Sequence, residues 1–383
     1  SRKNIFTGIA SALLDVSSQT DTVAKTTSGI MLSDTLVLPG MGVKQKVKSS
    51  RKDPFSGGVV WTFANGFKVI YKKMPTGRTL YYSLSLNGGY ANVDDLCRGE
   101  GAYMSDFIDN SWICGMRGRE FKDLLQLSGM TLKSRVNLHN TMISGQVKDR
   151  NAGLMMKGLL ALAEGCKVDT ASVKYYVESE KLCQLVHKGK DVRAALDSLM
   201  CPGYRYTSFK TEDGLRTSTF DKAESLFENL ASKMNDGILV IVGDMSENEL
   251  KKLLQMYVGE FRVKSVASRR PSLQYRPMSS WMEYSVVGYR NAAVVAMSGM
   301  VPMTASNHFA AEIAAMMMER KVKERFAERN IAVRLAYARD IYPDERFSIF
   351  VMMEGDCSQE EAAEIKKVLG ECSRDLDERL IQA

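Results

Sequence analysis

At 383 residues, 45% hydrophobic and 25% charged with only 8 prolines, the chain has the composition of a folded globular protein and is long for one core, so two domains are expected. The net charge of +7 is partly local, in Lys44, Lys46, Lys48, Arg51 and Lys52, a run read as a solvated linker; no Arg-rich, aromatic-interleaved stripe marks a nucleic-acid surface. No apolar run reaches the roughly 18–20 residues that span a bilayer, and the seven cysteines include no C-x-x-C pair, which argues against a zinc knuckle or a thioredoxin-like motif.

Residues 1–54 read as an arm: a short amphipathic helix carrying Ile5, Ile9, Leu13 and Leu14, a Ser/Thr-rich stretch, an apolar segment, then Gly40, Gly42 and the basic run. The N-terminus has no signal-peptide pattern; opening on Ser1-Arg2-Lys3 without methionine, it is read as the start of a processed or excised piece. In WTFANGFKVIYKKM (61–74), two β-rich runs flank Asn65-Gly66, the strongest short hairpin signal because both residues tolerate positive φ. A third strand follows at 79–91, with Tyr82, Leu84 and Leu86 alternating against Ser83, Ser85 and Asn87. Helical spacing recurs at 101–107 and 118–129, the latter closing on Gly129. Strands at 130–138 and 141–147 lead to a helix at 149–165, and helical patterns continue over 171–188 and 191–200. The first domain is placed at 55–218.

A second block, 219–383, repeats the order. It reads as a helix at 220–237, a buried strand GILVIVGD (237–244), and a helix capped by Ser246 with Glu249 three residues on. A strand at 291–301 precedes a long helix at 306–329 capped by Ser306 or Asn307, then strands at 331–341 and 346–355 and a helix at 358–380. Strand, helix, strand, strand, helix therefore occurs twice, and the fold class is α+β: two tandem domains, each an antiparallel sheet with helices packed mainly on one face.

This ordered set resembles the pitrilysin/insulinase family of zinc peptidases, with its LuxS/metallopeptidase-like fold. WTFANGFKVIYKKM and LSLNGGYA (84–91) are similar to that family's opening hairpin and Gly-Gly strand, and GEGAYMSDF (99–107) stands where its Gly-x-Ala-His-x-x-Glu-His helix stands. GILVIVGDMSENELKKLLQMYVGEF (237–261) and AAEIAAMMMERKVKERFAERNIAV (310–333) are similar to the start of its second domain and to its late long helix. SDTLVLPGMGV (33–43) with the basic spacer resembles the junction where the C-terminal half of a long member begins.

Metal-assisted hydrolysis needs about three ligands on zinc and a carboxylate base. The resemblance puts Tyr103, Asp106 and Phe107 at the motif positions, none of which restores the ligand set, so no zinc is expected in this chain and zinc only in a partner catalytic half. Glu178 and Glu180 fall near a distant ligand's place and read as solvated; His139, His187 and His308 are far apart in sequence. The family's substrate-orienting Arg and Tyr align with Phe326 and Val333, so the pair reads as lost, with Arg325, Arg329 or Arg334 standing in for the Arg and Tyr337 for the Tyr if the register slips. Neither a nucleotide motif follows 237–244 nor does a G-x-S-x-G elbow exist, and Met316–Met318 reads as core packing. The resemblance implies a non-catalytic half that packs against a catalytic half of the same or a companion peptidase and encloses peptide, in a periplasmic or otherwise exported setting. The alternative is a stand-alone degenerate homologue that binds peptides or scaffolds, and a third reading gathers the histidines into an unconventional metal site.

Overall fold

A computed structural model describes residues 44–54, 56–187, 204–265, 292–302, 304–329, 331–340, 345–355 and 357–381. The arm helix, the 191–200 helix and Cys201 lie outside the described residues.

Seven strands form the first sheet: β1 (Val47–Lys52), β2 (Val59–Phe63), β3 (Lys68–Lys73), β4 (Thr79–Asn87), β7 (Lys133–Val136), β8 (Asn140–Lys148) and β10 (Ile238–Gly243), in the order β1-β2-β3-β10-β4-β8-β7. The β2–β3 hairpin turns where Asn65-Gly66 predicts, with Gly66 at φ 90° and the Asn65 amide donating to the Val258 and Phe261 carbonyls. Alternation on β4 holds: Leu80, Tyr82, Leu84 and Leu86 are buried while Tyr81 is exposed. Trp61 stacks on Tyr71 at 5.9 Å between centroids, and Phe67 meets Phe261 at 4.8 Å. A small sheet joins β6 (Met116–Arg117), β5 (Ser111–Ile113) and β9 (Cys166–Val168).

Two expectations change here. The basic run is not a linker: Val47–Lys52 pairs antiparallel with β2, its lysines and arginine exposed. Charged side chains on an edge strand discourage further strand pairing, so the sequence signal was charge guarding an edge rather than a solvated spacer. The second change concerns 237–244, read as the first strand of the second block. β10 instead inserts between β3 and β4, parallel to the former and antiparallel to the latter. An apolar run specifies a strand and not its neighbours; here the Tyr71 hydroxyl lies 2.9 Å from the Gly243 carbonyl and 2.6 Å from that of Met245, and the Arg78 amide donates to Asp244 at 2.9 Å. The predicted boundary at 218/219 thus separates β10 and its flanking helices from the sheet in which β10 lies.

Helices of this unit are α1 (Gly118–Leu127), α2 (Ala152–Glu164), α3 (Thr170–His187), α4 (Ser218–Leu230) and α5 (Glu247–Tyr257). α2 buries Met155, Met156, Leu159 and Leu160, and α4 buries Phe220, Ala223, Leu226 and Phe227. Ser246 caps α5 as predicted, its hydroxyl accepting from the Glu249 amide and donating to the Glu249 carboxylate at 2.7 Å.

The second sheet is β11 (Ala292–Met300), β13 (Arg346–Gly355) and β12 (Ile331–Asp340), ordered β11-β13-β12 and antiparallel throughout. Its helices are α6 (Ala305–Arg325), capped by Thr304 rather than by Ser306 or Asn307, and α7 (Gln359–Ile381). The run β4-β8-β7 has the same topology: in each unit the first strand pairs with the last, and the middle strand takes the far side. The duplication read from the order of elements is therefore present in strand pairing. Between the first and middle strands, the second unit has the long α6, whereas the first has a 3-10 segment (Glu100–Asp106) and α1. Of the six described cysteines, Cys166 and Cys372 are buried and none forms a disulfide.

Candidate functional site

The 3-10 segment carries the positions that the zinc motif would use, and its geometry changes what they can do. A motif with ligands four residues apart needs an α-helix, where i and i+4 share a face. In a 3-10 helix i and i+3 eclipse, and i+4 points about a third of a turn away. Tyr103 and Asp106 accordingly face one cluster, while Phe107 turns into the core against Phe227, 5.0 Å between centroids. Gly99, at φ 72°, opens the segment beside the backbone of a loop at 204–217; a Cβ there would lie 2.5 Å from the Phe209 carbonyl.

That loop crosses the segment. Its Thr211 carbonyl accepts from the Tyr103 hydroxyl at 2.8 Å, its Thr211 hydroxyl donates to the Arg98 carbonyl, and the Tyr206 carbonyl accepts from Tyr90 at 3.1 Å. Tyr103 is fully buried and also accepts from the Gln184 amide. Burial, and then the nearby Glu180 carboxylate, push its phenol well above the ordinary tyrosine range. Asp106 accepts from the Tyr176 hydroxyl at 2.8 Å and meets the Lys210 ammonium at 3.0 Å. Lys210 donates to Tyr176 at 3.0 Å, lies 3.7 Å from Glu180, and sits over the rings of Tyr103 and Tyr176 at 5.2 and 5.6 Å.

Glu180, expected to be solvated, therefore turns into the cluster; Glu178 pairs with Lys181 on the surface. The signal was present in sequence: Tyr176, Glu180 and Gln184 are spaced i, i+4, i+8 along α3 and so share one face. Lys210 and Thr211, on a loop without periodicity, carried no such signal. A zinc ion does not fit this set. The phenol of Tyr103 is neutral and committed at both oxygen roles, Phe107 offers no donor, and an ammonium already satisfies Asp106. Among the described residues no group of three or more His, Cys, Asp or Glu side chains could hold a metal.

The positions aligned with the family's substrate-orienting pair, and their stand-ins, lie in the second unit. Phe326 and Val333 are buried with Val322, Ile349, Val351 and Ile365 in the core, so neither contacts a peptide as placed. Both follow apolar periodicity. Arg325 and Arg329 are committed to α7: Arg325 meets Glu364 at 2.7 Å, and Arg329 meets Glu364 at 2.8 Å and lies over the Phe326 ring at 5.0 Å. Arg334 lies on β12 opposite Met352. Tyr337 does reach a polar surface cluster, donating to Glu312 at 3.0 Å and stacking on Phe347, with the Arg339 guanidinium over its ring and beside Glu312 and His308. The sequence reading missed Arg339 and Glu312, although Tyr337 and Arg339 are two apart on a strand and therefore share a face.

The Arg325 hydrogen bond holds the Glu364 carboxyl below its usual value of 4.5. A carboxyl depressed by folding contributes stability at neutral pH that is lost as pH falls through its folded value. Glu364→Gln is expected to lower the thermal midpoint at pH 7 and to converge with wild type as pH falls through the depressed folded value of Glu364, read by melting at a series of pH values; parallel curves at every pH would remove the role given to this pair.

The two α+β units with their shared strand order define a fold class, and solved structures share it. The fold is similar to the ferredoxin protease FusC, crystallised in complex with Arabidopsis ferredoxin, at TM-score 0.67 and 13% identity over 94% of this chain and 40% of that one. It is similar to the periplasmic protease PqqL from Escherichia coli at TM-score 0.64 and 15% identity, over 96% and 41% of the two chains. A peptidase M16 inactive domain from Pseudomonas fluorescens matches at TM-score 0.63 and 12% identity, over 84% and 83%. The fold is that of the pitrilysin-type peptidases and of their inactive domains, and the chain spans about two fifths of the first two proteases. No family model matches the sequence, and no curated protein is detectably similar to it.

Proposed function

We propose that this chain is a zinc-less half of a pitrilysin-like metallopeptidase, which packs against a zinc-bearing catalytic half and helps enclose a peptide substrate. The observation that carries the reading is the motif position itself, where Tyr103, Asp106 and Phe107 replace a ligand set and an ammonium lies against the carboxylate. The coverage of two-fifths of FusC and PqqL supports a half rather than a whole. An exported location follows only as part of the same proposal, from the periplasmic PqqL. The Arg339, Tyr337 and Glu312 cluster is the surface we assign to peptide contact, because a guanidinium and a phenol together can hold a peptide carbonyl and carboxylate.

The purified chain, supplied with equimolar zinc and an unstructured polypeptide, is expected to show no cleavage, and cleavage is expected to appear on adding a catalytic half expressed from the same source. Zinc-dependent cleavage by the isolated chain, abolished by chelation, would sink the proposal. A second reading, a stand-alone peptide-binding scaffold, is favoured by the inactive domain that matches over most of both lengths. Peptide binding with no gain of activity in the presence of any catalytic half supports that reading over the first.

A further inference from the structure

We infer that Lys210 is a built-in cation, its ammonium taking the role at the degenerate motif that a metal takes in an intact one, and that it locks the 204–217 loop across the site. The inference deepens the zinc-less reading and is tested on this chain alone, so a failure to restore peptidase activity with a partner leaves it standing and its own failure leaves the partner question open.

Three elements supply the cage. The 3-10 segment provides Asp106 at 3.0 Å and the Tyr103 ring face; α3 provides the Tyr176 hydroxyl at 3.0 Å and Glu180 at 3.7 Å; the loop provides the ammonium. Two carboxylates brought this close repel each other unless a cation lies between them, and two aromatic faces add attraction to a cation of low charge density. The Tyr176 hydroxyl donates to Asp106 and accepts from Lys210, so the three groups form a closed ring of hydrogen bonds. The chain neighbour Thr211 completes the lock by accepting from Tyr103. Removing the ammonium therefore does two separable things: it leaves paired carboxylates without a counter-charge, and it releases the loop that seals Tyr103.

Side-chain exposures of 37% for Lys210 and 34% for Asp106 leave an ordinary surface ion pair as the competing account, worth little and insensitive to its neighbours. The experiment separates them. Thermal midpoints of the full chain are measured for Lys210→Met, Lys210→Arg, Asp106→Asn and the Lys210→Met/Asp106→Asn pair. The Lys210→Met change is expected to lower the midpoint by about 2–4 °C, the arginine variant to lose less, and the methionine change to cost less once Asp106 is neutral. Lys210→Ala is expected to regain part of its loss in ethylammonium chloride and none in sodium chloride of equal ionic strength. If Lys210→Met yields no folded protein, ethylammonium rescue of Lys210→Ala and the shift in Asp106→Asn read the same coupling. Additive losses in the double variant, no discrimination between ethylammonium and sodium, or a wild-type midpoint raised by equimolar zinc and lost in Asp106→Asn would each overturn the inference.

Discussion

Truncation of Phe326 to alanine is expected to destabilise the second α+β unit by about 3–5 kcal/mol, the range for deleting a buried phenylalanine. The residue is 1% exposed, closes the C-terminal turn of α6, and packs within a core that includes Val322, Val333, Ile349, Val351, Ile365 and Leu369. Its ring also carries the Arg329 guanidinium on one face, and Arg329 is tied to Glu364 on α7. Loss of the ring leaves a cavity in this core and frees an arginine that ties the turn after α6 to α7. Urea titration followed by far-UV circular dichroism is expected to show an early transition covering part of the amplitude. Unchanged unfolding together with weakened peptide binding would mean that Phe326 lines a substrate surface and would refute the core placement. Tyr337→Phe is the contrasting variant: the side chain is 40% exposed, and removal of its hydroxyl is expected to leave the transition in place.

Period and order carried much of this fold in the sequence. The β2–β3 hairpin, the alternation on β4, the Ser246 cap and the repeated strand-helix-strand-strand-helix order were all legible because each is written in local spacing. What failed was nonlocal. Ile238–Gly243 has the same apolar pattern whichever sheet receives it, and its place between β3 and β4 depends on partners more than 150 residues away in the chain. The candidate site was half legible. Tyr103, Asp106 and Phe107 were located by their motif, but the motif alignment assumed an α-helix, and the 3-10 geometry sends Phe107 to the core. Glu180 was dismissed because a charged helix face is usually solvated, and Lys210 was invisible because its partners come from two elements far away in sequence. Phe326 and Val333 were legible as apolar residues standing where the family has an Arg and a Tyr, and the core of the second unit receives both.

Replacing Lys222 by methionine is expected to cost the first unit about 3 kcal/mol, because it strips the counter-ion from a carboxylate that has no water to turn to. Glu100 is 0% exposed at the head of the 3-10 segment; one carboxylate oxygen accepts from the Cys97 amide at 2.8 Å and the other from the Thr219 hydroxyl at 3.1 Å, and Lys222 reaches it at 2.9 Å from α4. Breaking one side of a buried pair is far worse than removing both, since the unpaired charge keeps its full desolvation penalty. The Glu100→Gln/Lys222→Met double variant is therefore expected to recover most of the loss, and a double-mutant cycle reads the coupling directly. The consequence reaches the site: Glu100 fixes the start of the segment that presents Tyr103 and Asp106, so Lys222→Met is also expected to weaken the hold of Lys210 on Asp106, seen as a smaller midpoint change for Lys210→Met in that background. Equal losses for the single and double variants would show that Glu100 is not held by charge, and an unaltered Lys210→Met effect would show that the segment keeps its position without it.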